Sequence, residues 1–491
     1  MAAALSNMST FAGKAILIGL GLIIVFTALA HGAVEPWSVA VFELLTVLLI
    51  LLWAAKAVID KRITVQVPRT CWPLFVLLVL AVFQSIAWQD GDGYRKSLSM
   101  DVESTRSSAL ALFSLVICSL VAFNFLATRK RLQGFTRFLI FFGFAMAVFA
   151  IVQELTWNGK FYWLRPNTEG ASPFGPFVNH NNFAGYMELI IPLAIALAIT
   201  GSLSSEARLF YAFAATIMGV ATVASLSRGG MISLAAGILF MIAILALLKI
   251  RKSRTGDQER EAPGLFGLRT ALIVGAIVAA MAGGALWMGS DAILNRIAGS
   301  VVSTPEHPTD AAGGSGASAS TGGPGETFYA SRGWLWDDAV RMIKARPLLG
   351  VGMGAFETAY PIFSKSDGSY LVGRAHNDYL QVMTEFGVPG ALLALWFIIA
   401  VWRSFASTIT SRDRFLSAIA LGSGASIFAM LVHSVFDFNL ELPSNALLFL
   451  VITALLSLAG TKEVRAKKRV RVQPSGISKG VPGAVFRLGG A

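Results

Sequence analysis

Residues 374–390 read RAHNDYLQVMTEFGVPG and run directly into a long apolar segment. Asp378, followed three residues later by Gln381, predicts a capping box, so a helix is expected to begin near Asp378 with His376 just before its N-terminus. The Gly-Val-Pro-Gly end of the stretch can close this helix and open the next one. The stretch therefore predicts a short helix, a tight corner and a hydrophobic helix. Polar groups beside a membrane are costly unless they have a function, which makes the imidazole a candidate functional group.

The composition of the whole chain identifies its class. The chain has 491 residues, of which 55% are hydrophobic and 14% charged, and its mean hydropathy is +0.66. Soluble domains are less apolar, and apolar runs of about 20 residues match the thickness of a bilayer core. Such runs lie near residues 12–30, 38–57, 71–88, 108–127, 134–153, 182–200, 208–226, 230–248, 270–289, 388–403, 415–434 and 444–460. We therefore predict an all-α polytopic membrane protein with about twelve transmembrane helices.

Lysine and arginine gather in every second loop between these spans. They are Lys56, Lys61, Arg62 and Arg69, then Arg129, Lys130 and Arg131, then Arg208, then Lys249, Arg251, Lys252 and Arg254, and finally Arg403, Arg412 and Arg414. Because loops rich in these residues stay in the cytoplasm, we predict that both termini are cytoplasmic. The loops at 89–107, 154–181, 290–387 and 435–443 are then predicted to lie on the outer side.

The net charge, the two cysteines and an apparent cleavage site near the N-terminus do not indicate a special function. The net charge of +12 and the pI near 9.8 do not indicate nucleic-acid binding, because the basic residues are spread over short loops and not gathered on one soluble face. Cys71 and Cys118 lie in or beside apolar runs, without metal-ligand spacing, and are predicted to be structural. Residues 28–30, Ala-Leu-Ala, look like a signal-peptidase site, but only Lys14 precedes the apolar run, so we predict a retained first span.

The predicted organisation has four parts. They are a nine-helix membrane region at residues 1–289, an outer loop with short active-site helices at 290–387, a three-helix membrane region at 388–460 and a basic cytoplasmic tail at 461–491. Within the outer loop, residues 303–326 are small and polar and predict a flexible segment that cannot bury a core.

The outer loop also contains a predicted amphipathic helix that Pro347 ends. Leu335, Ala339, Val340 and Ile343 recur at helical spacing and predict its apolar stripe. Two neighbouring tryptophans suit a helix that lies at the bilayer surface.

Three polar clusters fall on the outer side of the predicted topology. They are the start of the sixth span with Asn179, His180 and Asn182, the short turn 225–230 with Arg228, and Arg332 together with Arg374, His376 and Asn377. Arginines beside an imidazole and amides would suit a phosphate-bearing ligand, since a guanidinium binds phosphate oxygens in pairs. No metal site is predicted, because His180, His376 and His433 have no companion ligands at short metal spacing.

Several motifs resemble one family of membrane enzymes. They are His376-Asn377 followed after nine residues by Gly387 and after two more by Gly390, the SRGG turn at 227–230, the RGWLW segment at 332–336, PLLGVG at 347–352 and NHNN at 179–182. This set resembles the O-antigen ligases and the related Wzy-type polysaccharide polymerases, over roughly residues 170–440. This sequence differs from the simplest members of the family by the insertion at residues 303–326.

The resemblance implies a metal-independent, inverting glycosyltransferase of the bacterial inner membrane, without a cofactor, with its active site on the periplasmic face. The implied donor is a glycan linked through diphosphate to a polyprenyl carrier. The implied acceptor is a sugar hydroxyl, on lipid A-core for a ligase or on a carrier-linked glycan for a polymerase. Arg228 and Arg332 would hold the diphosphate, and His376 would activate or position the acceptor.

Two glutamates lie inside predicted membrane spans. Glu43 and Glu188 each lie about 10 Å inside the outer end of a span, where a carboxylate is costly unless it is paired or protonated. One of them is predicted to orient Arg228 or to bind sugar hydroxyls.

A polymerase would use the same donor and similar residues, so ligase and polymerase stay open. A small-anion transporter is the alternative from another class, but transporters place their sites near the midplane, often between repeats, and no repeat is visible here.

The groups near His376 in the sequence predict whether its imidazole is neutral or charged. The helix N-terminus that follows His376 and the neighbouring Arg374 both disfavour an imidazolium ion. We therefore predict a neutral imidazole that can accept a proton from the acceptor hydroxyl.

Overall fold

The structure is a computed structural model. It describes residues 2–89, 91–92, 95–167, 172–200, 203–254, 275–276, 278–279, 281, 283, 332–365 and 372–461. Most of the predicted span 270–289, the predicted flexible segment 303–326 and all but the first residue of the tail 461–491 lie outside these residues.

Long helices make up most of the described chain. They are α1 (Ala2–Leu29), α2 (Pro36–Asp60), α3 (Cys71–Gln84), α4 (Val102–Phe125), α5 (Arg129–Leu155), α6 (His180–Ile199), α7 (Ser205–Ala224), α8 (Arg228–Arg254), α9 (Arg332–Ala345), α10 (Phe356–Phe363), α11 (Asp378–Ile409), α12 (Arg414–His433) and α13 (Pro443–Ala459). Nine of the described helices are long and apolar enough to cross a membrane, and α3 and α13 are shorter apolar helices. The predicted all-α polytopic membrane class is confirmed, with eleven of the twelve predicted spans found as helices.

Two short hairpins occupy loops between the helices. The strands are β1 (Ala87–Gln89), β2 (Arg95–Ser97), β3 (Lys160–Phe161) and β4 (Arg165–Pro166). β1 pairs antiparallel with β2, and β3 with β4. Strands of two or three residues are too short to show an alternating pattern, which explains why the sequence analysis predicted none of them.

Helix α6 forms the buried centre of the bundle. Its residues from Asn182 to Ile199 are all buried, and it packs against α5, α7, α8, α12 and α13. Small residues allow this close packing, as expected for helices in a membrane. For example, a Cβ added to Gly422 of α12 would lie 2.6 Å from the Cα atom of Leu193 in α6. The start of α6, which carries one of the predicted polar clusters, is thereby fixed to the centre of the fold.

Helix α9 has the predicted amphipathic character, but its buried face is rotated from the predicted stripe. Leu335, Ala339 and Met342 are buried in a cluster with α10, whereas Val340 is 36% exposed. The reason is that a fourth residue of the buried face is polar, so the hydrophobic pattern alone did not include it. This residue is Asp338, which is 2% exposed.

Hydrogen bonds explain why a carboxylate lies on the buried face of α9. The Tyr360 hydroxyl of α10 donates to Asp338 at 2.7 Å, and the Ser364 hydroxyl donates to it at 3.0 Å. Burial raises the pKa of Tyr360 above its ordinary value, so the phenol keeps its proton and remains a donor at neutral pH. Arg341 pairs with the same carboxylate. These contacts fix α10 against α9.

Helix α11 begins where the sequence predicted, but a different residue caps it. The side-chain oxygen of Asn377 accepts hydrogen bonds from the backbone N–H groups of Tyr379 and Leu380, each at 3.0 Å. Asn377 is therefore the N-cap, and the predicted capping role of Asp378 was wrong. Asp378 instead accepts a hydrogen bond from the Ser434 hydroxyl at 2.7 Å, because α12 ends beside it.

The predicted corner in α11 is present at Gly387. Its φ of 64° and ψ of −153° lie outside the helical region, so α11 consists of two helices that meet at a kink. The neighbouring segment is close on this side, since the N–H of Val388 donates to the carbonyl oxygen of Pro347 at 2.8 Å. A side chain at residue 387 would collide with backbone atoms of Pro347 and Leu348.

Gly387→Ala is expected to lower the free energy of unfolding by about 2–3 kcal/mol or more, because alanine is strained in this backbone region and its Cβ meets backbone atoms. Thermal unfolding of the purified protein in detergent measures the effect. Gly134→Ala is the matched control, because a Cβ there has open space in the second turn of α5. Equal unfolding temperatures for the two variants would contradict the proposed strain.

Candidate active site

The segment that carries His376 is fixed to the end of α12 by hydrogen bonds. The side-chain amide of Asn377 donates to the carbonyl oxygen of Val435 at 3.0 Å. The backbone N–H of Asp378 donates to the carbonyl oxygen of Ser434 at 2.9 Å, and the Tyr379 hydroxyl donates to the carbonyl oxygen of α12 residue 431 at 2.7 Å. The position of His376 is therefore set by α12 and by the loop that follows it. The end of the bundle where α11 begins and α12 ends is called the site end below.

The imidazole of His376 contacts a carboxylate. Its Nδ1 atom lies 3.1 Å from Oδ1 of Asp437, and Asp437 is 1% exposed. The second carboxylate oxygen accepts a hydrogen bond at 2.7 Å from the side-chain amide of Asn181, at the start of α6. The ring of Phe438 meets the imidazole edge to face, with centroids 4.7 Å apart. The imidazole is thus oriented by a buried acid that is itself held by α6.

The backbone at His376 is in an unusual conformation. Its φ is +49°, in the left-handed region that residues other than glycine seldom adopt. The neighbouring contacts hold it there, because the N–H of Ala375 donates to Oε1 of Gln381 at 2.8 Å and Asn377 caps the helix. Strain of this kind costs about 1–3 kcal/mol and is concentrated at functional sites.

The residues of the predicted polar cluster at the start of α6 have different roles, some in capping the helix and some in packing. Asn179 is the N-cap of α6, and its side-chain oxygen accepts from the N–H of Asn181 at 2.8 Å. His180 is partly exposed and its Nδ1 atom lies 2.8 Å from the Ser172 hydroxyl. Asn182 is buried, and its carbonyl oxygen accepts from the side chain of Asn445 at 2.9 Å. Of the NHNN motif, Asn181 is therefore the residue that reaches the carboxylate beside His376.

Arg228 is the first residue of α8, at the site end, and is exposed. Ser227 precedes it, and the Ser227 hydroxyl accepts from the N–H of Gly230 at 3.1 Å, as an N-cap does. Gly229 lies against the end of α12, where an added Cβ would come within 2.9 Å of Nε2 of His433. The start of α8 therefore touches the same end of α12 that holds the His376 segment.

Glu188 is fully buried and joins three helices of the site end. Its carboxylate, on α6, lies 3.1 Å from Nδ1 of His433 on α12 and accepts a hydrogen bond from the Ser233 hydroxyl on α8. These contacts favour the prediction that Glu188 orients the start of α8, and with it Arg228, over the prediction that it binds sugar hydroxyls. Glu43 lies on α2, which packs against α1 and α4.

Arg374 precedes His376 by two positions, and Arg332 begins the helix that packs beside this segment. The Nε atom of Arg374 lies 3.3 Å from a carboxylate oxygen of Glu441, in a single 3₁₀ turn between α12 and α13. Arg332 is the first residue of α9, and its side chain lies outside the described part of the chain. Helix α9 packs in one apolar cluster with Ala375, the residue before His376. The helix that begins with Arg332 therefore rests on the candidate active-site segment.

The contact between Asp437 and His376 alters the hypothesis about the charge of the imidazole. In the sequence, the helix N-terminus and Arg374 both disfavour an imidazolium ion. The structure adds a buried carboxylate against the ring and pairs Arg374 with Glu441. A carboxylate at Nδ1 stabilises the imidazolium that forms when the other ring nitrogen accepts a proton. The geometry therefore supports His376 as a proton acceptor because of the Asp437 carboxylate, and not because of the helix N-terminus and Arg374.

Asp437 and Asn181 are the candidate site residues that sequence reasoning missed. Asp437 stands between two phenylalanines in a predicted outer loop of nine residues, 435–443, and it is one of only two acids there. Asn181 lies inside a motif of which only the neighbouring residues were selected. Asp437 could have been found from one signal in the sequence. It is a carboxylate in a short loop, and that loop follows a span that ends in a histidine. Among the described residues, no group of three His, Cys, Asp or Glu side chains is arranged to hold a metal ion.

Glu188→Ala is expected to lower the free energy of unfolding by roughly 3 kcal/mol, because it leaves His433 buried without its carboxylate partner. Glu188→Gln keeps an acceptor and is expected to cost about 1 kcal/mol. Thermal unfolding of both variants measures the effect. Glu43→Ala is the matched control, because that glutamate lies on α2 and outside this cluster. A larger loss for Glu43→Ala than for Glu188→Ala would contradict the assignment.

Together, these observations define a polytopic helical membrane protein with a mostly buried polar site at one end of its helix bundle. Residues 213–395 match the family model described as O-antigen ligase, Wzy_C. No curated protein matches the chain. The matched segment contains Arg228, Arg332 and His376, while Asn181 and Asp437 lie outside it. The family supports a membrane enzyme that transfers glycans, of the ligase or polymerase type.

Proposed function

We propose that the chain is an inverting glycosyltransferase that needs no metal ion or cofactor. It moves a glycan from a polyprenyl-diphosphate carrier to a sugar hydroxyl, at the periplasmic face of the bacterial inner membrane. Lipid A-core is the proposed acceptor, as in O-antigen ligation. The observation that carries the proposal is the contact of His376 with Asp437, at the start of a capped helix and beside the beginnings of α6 and α8.

The proposed reaction is a single displacement at the anomeric carbon of the donor. The acceptor hydroxyl oxygen forms a bond to this carbon, while the bond from the carbon to the diphosphate oxygen breaks on the opposite face. The hydroxyl proton passes to Nε2 of His376, because Nδ1 donates to Asp437 in the neutral tautomer. The electron pair of the broken bond leaves with the polyprenyl diphosphate. One displacement inverts the configuration at the anomeric carbon.

The leaving group needs neutralisation of charge more than it needs a proton. A diphosphate is already a stabilised anion, and two guanidinium groups near a low-dielectric boundary stabilise it strongly. We assign this role to Arg228, at the start of α8, and to Arg332, at the start of α9. Both residues lie at helix N-termini, where the helix dipole adds to the attraction for an anion.

The test uses the purified full-length chain with a fluorescent polyprenyl-diphosphate glycan and a lipid A-core acceptor. The wild type is expected to transfer the glycan in the presence of a metal chelator. Arg228→Lys is expected to lower kcat/KM by about 10–100-fold, because an ammonium group cannot bind two phosphate oxygens in parallel. Arg403→Lys, an exposed position at the far end of α11, is the matched control. The proposal fails if no transfer occurs or if the two variants behave alike.

The polymerase remains the second candidate, since it uses the same donor and the same site chemistry. A lipopolysaccharide gel of a deletion strain separates the two. Loss of every attached glycan indicates a ligase, and retention of a single attached unit indicates a polymerase. Uptake of a small anion by proteoliposomes, without any glycan substrate, would favour the transporter over both.

A further inference from the structure

A groove of about 470 Å³ lies between α5 and α7, about one helix length from the candidate active site. Helix α6 begins beside Asp437 at the site end and is about 30 Å long. The Nε atom of Arg208, in the first turn of α7, donates to the carbonyl oxygen of Ala198 near the end of α6 at 2.9 Å. The groove follows these first turns of α7, so the proposed function assigns no group to it.

The wall on α5 is one face of that helix. Gly134, Arg137, Phe138 and Phe141 line the groove, and their spacing of three and four residues places them on the same side of α5. A Cβ on Gly134 would meet no atom within 4 Å, so the groove is open in the second turn. Phe141 is 59% exposed on a helix that is long and apolar enough to cross a membrane. The deeper part of the groove therefore opens toward lipid chains.

Arg137 places a cation in this groove, inside a candidate membrane span. It lies eight positions after the first residue of α5, about 12 Å along the helix, and it is exposed. Among the described residues, no carboxylate lies within ion-pair distance of Arg137, whereas Arg129 of the same helix pairs with Asp413. A charge at this depth is costly unless it has a partner. Because Arg137 is exposed, its partner can come from outside the chain.

The wall on α7 adds a buried hydroxyl. Ala207, Phe210 and Tyr211 line the groove at helical spacing. Tyr211 is only 4% exposed, and in the part of the chain that the structure describes its hydroxyl has no hydrogen-bond partner. Buried polar groups are ordinarily hydrogen-bonded. The groove therefore offers a phenol and a guanidinium to one occupant, and phosphate oxygens accept hydrogen bonds from both groups.

We propose that the groove between α5 and α7 binds one anionic phospholipid, with its phosphate at Arg137 and Tyr211 and an acyl chain along Phe138, Phe141 and Phe210. Among the described residues that line the groove there is one cation and no acid, which favours a net negative head group. A zwitterionic lipid gains less, because its own ammonium group neutralises its phosphate. The aromatic walls favour a lipid over a free phosphate ion, and basic pockets between membrane helices are known to bind such head groups. This binding is independent of glycan transfer.

The test measures lipid binding to the purified full-length protein by native mass spectrometry. The two probes have the same acyl chains and are dioleoyl phosphatidylglycerol and dioleoyl phosphatidylcholine. The wild type is expected to bind phosphatidylglycerol about tenfold more tightly. Arg137→Gln is expected to remove this preference by weakening phosphatidylglycerol binding about tenfold, because a hydrogen bond to a charged group contributes this much. Arg403→Gln, exposed on α11 and outside the groove, is the matched control and is expected to leave both Kd values unchanged.

Two further variants separate the groove from the charge. Gly134→Leu fills the open part of the groove and keeps Arg137, so it is expected to weaken binding of both lipids about fivefold or more. Tyr211→Phe removes only the hydroxyl and is expected to weaken phosphatidylglycerol binding about 3–10-fold. Thermal unfolding checks that every variant is folded.

Four results would overturn the proposal. Equal binding of the two lipids by the wild type would remove the role of charge. Equal effects of Arg137→Gln and Arg403→Gln would mean that any exposed arginine of a spanning helix acts alike. Complete displacement of phosphatidylglycerol by a large excess of inorganic phosphate would indicate a site for a free anion. A dimer that is lost in Gly134→Leu, without a change in lipid binding, would assign the groove to a second copy of the chain.

Discussion

His376→Ala is expected to lower kcat by about 10²–10⁴-fold while the protein remains folded. The imidazole is the proposed acceptor of the hydroxyl proton, and loss of a general base costs about 10²–10⁴-fold in rate. Its side chain is mostly buried, but its described partners, Asp437 and Phe438, both lie in the loop after α12, so the packing of the helices does not depend on it. The measurement is single-turnover transfer from the fluorescent donor, together with the temperature of unfolding.

His180→Ala is the matched control for this prediction. His180 lies in the neighbouring polar cluster, and its described partner is Ser172 and not the buried acid. Its loss is expected to change kcat by less than about fivefold, since it takes no part in the proposed proton transfer. Near-normal turnover by His376→Ala would exclude the base role.

Much of the fold could be predicted because the membrane imposes a simple rule on the sequence. Apolar runs of bilayer length become helices, and eleven of them are present with boundaries close to the predicted ones. The kink at Gly387 was also predictable, because the Gly-Val-Pro-Gly corner combines a residue that tolerates unusual backbone angles with one that begins helices. These features depend on local sequence alone.

The features that were missed depend on residues far apart in the chain. Asn377 and not Asp378 caps α11, because Asp378 accepts a hydrogen bond from Ser434, the residue after α12, 56 positions away. Asp437 meets Asn181 across 256 positions, and no spacing rule connects them. The buried face of α9 includes Asp338 because of Tyr360 on another helix. Local patterns predict where polar groups occur, but only the packing of the helices shows which of them meet.

Asp437→Asn is expected to lower kcat by about 10²–10⁴-fold, with less than about a threefold change in the KM for the donor. The carboxylate accepts from Nδ1 of His376 and from the amide of Asn181 with its two different oxygens. Asparagine has one accepting oxygen, so it either loses one of these hydrogen bonds or turns an N–H group toward the imidazole. In the second case the ring must take the other tautomer, with its proton on Nε2, and the base is lost. In serine proteases the equivalent change lowers kcat by about 10⁴-fold.

A double variant tests whether Asp437 acts through His376. If the carboxylate only orients the imidazole and stabilises its charged form, then His376→Ala with Asp437→Asn is expected to be no slower than His376→Ala alone, because residues that act as one unit do not add. Asn181→Leu removes only the hydrogen bond to the carboxylate and is expected to give a smaller loss, of about 3–10-fold. Asp60→Asn, at the last residue of α2, where the carboxylate pairs with Lys56, is the control for the change of charge. Additive losses in the double variant would mean that Asp437 contacts the substrate directly, as a catalytic residue and not as a positioning residue.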